Sequence, residues 1–192
     1  MRSVLLLVLS MTAAAAAQRP ALTIVLEFQG PHSDSSVGEM RREFESIMRD
    51  SGFRFDWRMR DEVAEHSFDD LVLVRFKGKC VLEPVGYLYD ERGPLAFTYS
   101  DGAEVLPFSE VACDHVAASV RSAMFGGDYN NADLLLGRAL GRVVAHELVH
   151  ILTDSKGHGK AGVQKAALSG KLLIAPSLRL SEDDLDRLRA AR

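Results

Sequence analysis

The chain has 192 residues, of which 47% are hydrophobic and 26% charged, a composition typical of one folded globular domain. This profile excludes a disordered, collagen-like, coiled-coil or disulfide-dense chain. The 23 Lys and Arg residues stand against 27 Asp and Glu residues, a net charge of −4, so no basic field predicts nucleic-acid binding.

The first 17 residues have the pattern of an export signal. Arg2 supplies a positive charge, residues 4–9 an apolar core, and residues 15–17 a small-residue cleavage site. The alternative is a membrane anchor, but the apolar run of about 14 residues is shorter than the roughly 20 that a spanning helix needs. We therefore predict a signal peptide at residues 1–17 and a secreted or periplasmic domain at residues 18–192, without stable membrane insertion.

Two cysteines, Cys80 and Cys113, are separated by 33 positions. In an exported protein the pair favours a structural disulfide, because the compartment is oxidising. Closing such a loop stabilises a fold by about 3–4 kcal/mol. The alternative is a pair of metal ligands, which lacks the short Cys-x-x-Cys spacing of chelating cysteines.

Apolar patterns in the first part of the domain predict strands around one helix. Residues 22–28 are β-branched and apolar, which favours a buried strand. A helix is predicted from the serine cluster at 33–36 to Gly52, with one apolar face. That face comprises Val37, Met40, Phe44, Ile47 and Met48. Further strands are predicted at residues 53–59, which alternate, and at 71–76.

A hairpin and a strand-to-helix segment come next. Residues 85–89 and 94–99 flank a turn at 90–93, which predicts a hairpin that ends at Asp101-Gly102. Residues 105–120 predict a short strand that passes into a helix.

The strongest helix prediction covers residues 132–153. Gly137 and Gly141 lie inside it, each costing about 1 kcal/mol relative to alanine, which predicts close packing against a neighbouring backbone. The chain after Gly157 is loop-like until Ser181 begins a last helix as an N-cap with an acidic first turn. Together these elements predict one α+β domain.

The strong helix contains the sequence His146-Glu147-Leu148-Val149-His150. Residues four apart share one helix face, about 6 Å apart along the axis, so the two imidazoles can converge on one ion. Zinc binds neutral imidazole readily, and Glu147 lies near enough to accept a proton from a zinc-activated water as a general base. The alternative is a helix with two histidines and no metal. Three of the six histidines fall within thirteen residues, which favours a zinc site.

The best candidate for a third ligand is His158. His158 follows Gly157, which can turn the chain back toward the ion. An acid from the last helix, such as Glu182, is the main alternative. Asp154 lies another 6 Å or so along the helix axis, so we expect it to be a cap or a partner that orients an imidazole.

His-Glu-x-x-His followed closely by a third histidine resembles the metzincin branch of the zincin superfamily of zinc peptidases. Residues 137–165 also resemble a group of small exported bacterial proteins regarded as metallopeptidases. The resemblance implies a zincin-like single domain, with a mixed twisted sheet packed on two long helices and a small C-terminal subdomain that ends in a helix. It implies a zinc metalloendopeptidase, expected to be a monomer, that acts on peptide or protein substrates. Its ligands would be His146, His150 and His158, and its general base Glu147.

The chain departs from the metzincin pattern in two places. That pattern has glycine three residues after the second histidine and the third histidine three residues later, where this chain has Thr153 and Lys156. Metzincins also have a methionine beneath the metal, whereas the last methionine here is Met124. We expect Gly162-Val163 to form the equivalent turn.

The resemblance also bears on substrate binding. Metzincins bind peptide against an edge strand by backbone hydrogen bonding, and residues 94–99 are the candidate edge, the alternative being a solvated hairpin. No Tyr or His follows His158, so zinc itself is expected to stabilise the oxyanion. A second hypothesis is a catalytically vestigial, zinc-stabilised binding or inhibitory protein on the same fold.

Overall fold

The computed structural model describes residues 21–63, 67–68, 70–83 and 93–191. The predicted signal peptide and the predicted strand at 85–89 lie outside these residues. Within the described ranges, no helix combines the length and the apolar composition that crossing a bilayer requires.

A five-stranded mixed sheet forms the centre of the fold, with strand order β2-β1-β3-β5-β4. The strands are β1 (Leu22–Phe28), β2 (Phe55–Met59), β3 (Leu71–Lys77), β4 (Ala96–Asp101) and β5 (Glu104–Ala112). The first three strands and β5 run parallel, whereas β4 pairs antiparallel with β5 and is an edge strand among the described residues. The predicted strands at 22–28, 53–59 and 71–76 are confirmed.

Five α-helices accompany the sheet within the described residues. They are α1 (Asp34–Met48), α2 (Cys113–Ala123), α3 (Ala132–Leu152), α4 (Gly170–Ile174) and α5 (Glu182–Ala190). Short 3-10 helices cover Arg49–Ser51, Arg60–Val63 and Gly126–Asn131. Ser33 caps α1 and Ser181 caps α5, as predicted, each accepting a hydrogen bond from a backbone N–H of the first turn. The prediction did not include α4, which lies in the segment expected to be loop.

The long helices α1 and α3 pack closely because α3 presents glycines to α1. A Cβ on Gly137 would lie 2.5 Å from the carbonyl oxygen of Ser36, and one on Gly141 would lie 2.6 Å from that of Met40. The predicted close backbone approach is confirmed. Both helices contribute to one hydrophobic core with the alternate buried residues of the sheet, and Phe44 on α1 meets Phe55 of β2 edge-on. The molecule is a mixed α+β fold.

The predicted hairpin of residues 85–89 and 94–99 is described only in its second strand, which is β4. Within the described part of the chain, β4 pairs with β5, and Gly102-Ala103 forms the turn between them, with Gly102 at a φ of 60°. The predicted partner at 85–89 is not among the described residues. The strand-to-helix prediction for 105–120 is confirmed, because β5 runs directly into α2.

Cys80 and Cys113 form a disulfide, with Cα atoms 4.8 Å apart. The bond joins the segment after β3 to the first residue of α2. The predicted bridge is therefore confirmed, and neither cysteine is a metal ligand.

Candidate metal centre

Three histidines meet at the C-terminal half of α3. His146 and His150 are both buried, and their Nε2 atoms lie 3.1 Å apart. The exposed ring of His158 lies with its centroid 5.2 Å from that of His146 and 4.9 Å from that of His150. One ligand atom from each ring lies within 4.8 Å of the others, so this group could hold a metal ion.

Backbone carbonyls orient the two helical imidazoles. Nδ1 of His146 donates to the carbonyl oxygen of Val163 at 2.8 Å, and Nδ1 of His150 donates to that of Ser155 at 2.6 Å. A carbonyl oxygen only accepts, so each Nδ1 carries a hydrogen and each neutral ring presents an Nε2 lone pair. Burial lowers the pKa of both imidazoles, which favours this neutral form.

This arrangement fits a bound cation. Two neutral imidazoles that both present Nε2 lone pairs have no proton to share across the 3.1 Å between them. The contact is therefore repulsive unless a positive ion lies against both nitrogens. Imidazole is a ligand for zinc and for several other transition metals, so the donor set suits this class of ion.

The chain returns toward the cluster at Asp154, not at Gly157. Asp154 has a φ of 44°, in the left-handed region, whereas Gly157 has no positive φ. The carboxylate of Asp154 accepts a hydrogen bond from the Val105 N–H of β5 at 2.8 Å. Asp154 is predicted to be a cap or a partner that orients an imidazole. It directly follows the C-cap Thr153 of α3, and the carbonyl of Ser155, rather than Asp154, orients His150.

A tight turn at Gly162-Val163 supports His146. Gly162 has a φ of 67°, and a Cβ there would lie 2.3 Å from the carbonyl oxygen of Arg179, so glycine is required. Val163, which follows, accepts from His146, and the buried Gln164 donates from Nε2 to the His146 carbonyl oxygen at 2.7 Å. The expected turn at Gly162-Val163 is present and contacts His146, without a methionine.

Glu147 is buried next to the cluster and contacts the edge strand. Its Oε2 accepts a hydrogen bond from the Thr98 hydroxyl at 2.5 Å. Burial raises the pKa of the Glu147 carboxyl, and the Thr98 hydrogen bond acts in the opposite direction. Thr98 lies 49 positions from Glu147 and belongs to no motif, so no sequence pattern marks it as a site residue.

The alternative ligand does not join the cluster. Among the described residues, the group of convergent ligand atoms contains the three histidines and no acid, so Glu182 lies outside it. His115 donates from Nδ1 to the carbonyl oxygen of Pro94, and His32 stacks on Phe28.

A cleft of about 600 Å³ opens over the three histidines. Strand β4 and residues 93–95 line it, as do residues 165–168 and side chains of α3. His146 contacts the turn that leads to residues 165–168, whereas Glu147 contacts β4. These successive residues of α3 therefore face two different walls of the cleft.

No protein-family model matches the chain, and no curated protein is significantly similar to it. The function is therefore inferred from the geometry of this centre and its cleft.

Proposed function

We propose that the chain is an exported zinc-dependent metallopeptidase of the zincin superfamily, resembling the metzincin branch. The observation that carries this proposal is the pair of oriented Nε2 atoms on His146 and His150, with His158 beside them and Glu147 at the same cleft. A site that only stabilised the fold would need no buried carboxylate at this position.

The three histidines would hold the ion through their ring nitrogens. Zinc, when bound, acts as a Lewis acid and lowers the pKa of a coordinated water toward 7. Glu147 is the proton acceptor: Thr98 already bonds its Oε2, which leaves Oε1 to receive the proton. The carbonyls of Val163 and Ser155 hold the imidazole rings in the required tautomer throughout.

The cleft suits an extended peptide. Its volume of about 600 Å³ lies in the range of ligand-binding pockets, and β4 forms one wall at the edge of the sheet that the described strands make. An extended substrate would add to β4 through main-chain hydrogen bonds, as in other complexes in which a peptide extends a sheet. This binding would place the scissile bond over the histidines.

Export is supported by the disulfide. Bridges of this kind persist in oxidising compartments and are rare in the cytosol, so a Cys80–Cys113 bond is expected of a secreted or periplasmic protein.

The function is tested with the Glu147→Ala variant of the zinc-loaded protein. We expect zinc content equal to that of the wild type and loss of peptide hydrolysis, because the proton acceptor is removed and the ligands stay. Glu182→Ala, an exposed acid outside the cluster, is the matched control and should retain activity. Unchanged hydrolysis in Glu147→Ala would refute the proposed role. If the zinc-loaded wild type cleaves no peptide in acidic, neutral or alkaline buffer, the vestigial binding or inhibitory protein becomes the better description.

A further inference from the structure

We propose that the cleft selects substrates that present a carboxylate close to the scissile bond, and that Lys165 binds this carboxylate. The inference rests on the proposed function, since it names the substrate class of the same cleft.

The charge of the cleft is opposite to that of the molecule. The chain carries a net charge of −4, yet the described residues that line the cleft include two lysines, Lys156 and Lys165, and one acid, Glu147. Glu147 is buried and hydrogen-bonded to Thr98, so its carboxylate already has a partner inside the site. A cleft with excess positive charge attracts anionic groups and raises their local concentration.

The two lysines differ in what they contact. The Nζ of Lys156 donates to the carbonyl oxygen of Gly102 at 2.8 Å, which holds this side chain against the β4–β5 turn. The Lys165 side chain is half-buried, and its ammonium has no hydrogen-bond or ion-pair partner within the described ranges. Charge-assisted hydrogen bonds are roughly twice as strong as neutral ones, so a carboxylate is the complementary ligand for this group.

The backbone fixes Lys165 close to the metal centre. Val163 and Gln164, the two preceding residues, both bond His146. Because consecutive Cα atoms are about 3.8 Å apart, the Cα of Lys165 lies within about 8 Å of that of Val163. Gly159 forms a parallel bridge with Lys165 and fastens this segment. The next two residues on this wall, Ala166 and Ala167, are small and leave room for a substrate side chain beside the ammonium.

A carboxylate at this place has two sources, an acidic side chain of the substrate or the C-terminal carboxylate of a short peptide. Two versions of one library distinguish them. In each, short peptides carry Ala, Leu, Gln, Glu or Lys at every position, with the C-terminus either free or amidated. Cleavage sites are then mapped by mass spectrometry with the zinc-loaded wild type, Lys165→Met and Lys165→Glu. Lys160→Met is the matched control, because Lys160 is exposed on the same segment and does not line the cleft.

We expect the wild type to favour Glu over Gln about fivefold at one fixed position, the ratio that a modest charge-assisted contact gives. Lys165→Met should abolish this preference, Lys165→Glu should replace it with a preference for Lys, and Lys160→Met should keep it. If the preference instead requires a free C-terminus, the terminal carboxylate is the group that Lys165 binds. A preference that survives Lys165→Met, or no preference for a carboxylate at all, would overturn the inference.

A binding measurement separates this inference from the proposed function. Matched Glu- and Gln-containing peptides are titrated against zinc-loaded Glu147→Ala, in which turnover is not expected. Tighter binding of the Glu peptide that depends on Lys165 supports the inference even if the wild type cleaves nothing. Cleavage by the wild type without such dependence leaves the peptidase proposal standing and removes the role of Lys165.

Discussion

The hydroxyl of Thr98 on β4 donates a hydrogen bond of 2.5 Å to Oε2 of Glu147 on α3. This contact joins the strand that forms one wall of the cleft to the carboxylate proposed as proton acceptor. Thr98 is half-buried and Glu147 buried, so water competes little for the bond. Thr98 therefore acts as a positioning residue for Glu147.

Thr98→Val keeps the shape of the side chain and removes the donor. We expect kcat to fall about tenfold, the equivalent of one hydrogen bond of about 1.4 kcal/mol, with KM and zinc content little changed. Thr98→Ser restores the hydroxyl and should recover most of the activity. Steady-state kinetics of the three proteins check this; equal kcat in wild type and Thr98→Val would contradict it.

His158→Ala should weaken zinc binding strongly. Losing a supporting partner of a ligand costs roughly 10–100-fold in affinity, so losing a ligand should cost more than about a hundredfold. His32→Ala is the control, because its exposed ring lies outside the cluster and should leave the affinity unchanged. Competition with a chromogenic chelator measures both. Wild-type affinity in His158→Ala would remove His158 from the site.

Arg142 is a fully buried cation on α3 that holds α4 in place. Its guanidinium donates to Oε1 of Glu43 at 2.7 Å and to the carbonyl oxygens of Leu172 and Ala175 at 2.5 and 2.7 Å. Arg142→Met leaves these acceptors without a donor, so we expect the free energy of unfolding to fall by about 3–5 kcal/mol. Urea denaturation measures the change.

The control for Arg142 is Arg138→Met. Arg138 is half-buried and donates to the Ile174 and Ala175 carbonyls over longer distances of 3.2 and 3.5 Å. We expect its loss to cost about 1 kcal/mol, near the value of one ordinary hydrogen bond. Equal losses of unfolding free energy in the two variants would show that removing the buried Arg142 costs no more than removing the half-buried Arg138.

Gly141→Ala and Gly38→Ala should change stability in opposite directions. A Cβ at Gly141 would lie 2.6 Å from the Met40 carbonyl oxygen, so the close contact of α1 and α3 must open, at a cost of about 1–3 kcal/mol. A Cβ at Gly38 of α1 meets only the Arg42 Nη1, at 4.0 Å, so alanine there should stabilise by about 0.5–1 kcal/mol. Urea midpoints test both signs, and stabilisation by Gly141→Ala would refute the packing argument.

Local pattern predicted the parts of the site that lie on one helix. The spacing of His146 and His150 places them on one face, and the same spacing of Gly137 and Gly141 predicts the contact with α1. These inferences hold because helical geometry is regular over several turns. The disulfide could also be predicted from the sequence, since two cysteines offer one pairing.

The contacts that support the site could not be predicted from the sequence, for physical reasons. Ser155 and Val163 act through backbone carbonyls, which every residue has, so no side chain marks them. Asp154 makes its turn in a left-handed conformation, in which glycine is usual. The prediction therefore placed the turn at the nearby Gly157. Thr98 reaches Glu147 through sheet pairing over a long sequence separation, which periodicity does not report.

The loop that carries His158 is fastened to the β4–β5 hairpin twice, by Asp154 to Val105 and by Lys156 to Gly102. Both contacts form between protein groups and need no metal ion, so little of the chain has to become ordered when an ion binds. We therefore expect the ion to leave only when this loop detaches from the hairpin. Metal exchange should then be slow relative to turnover and should accelerate when either contact is cut.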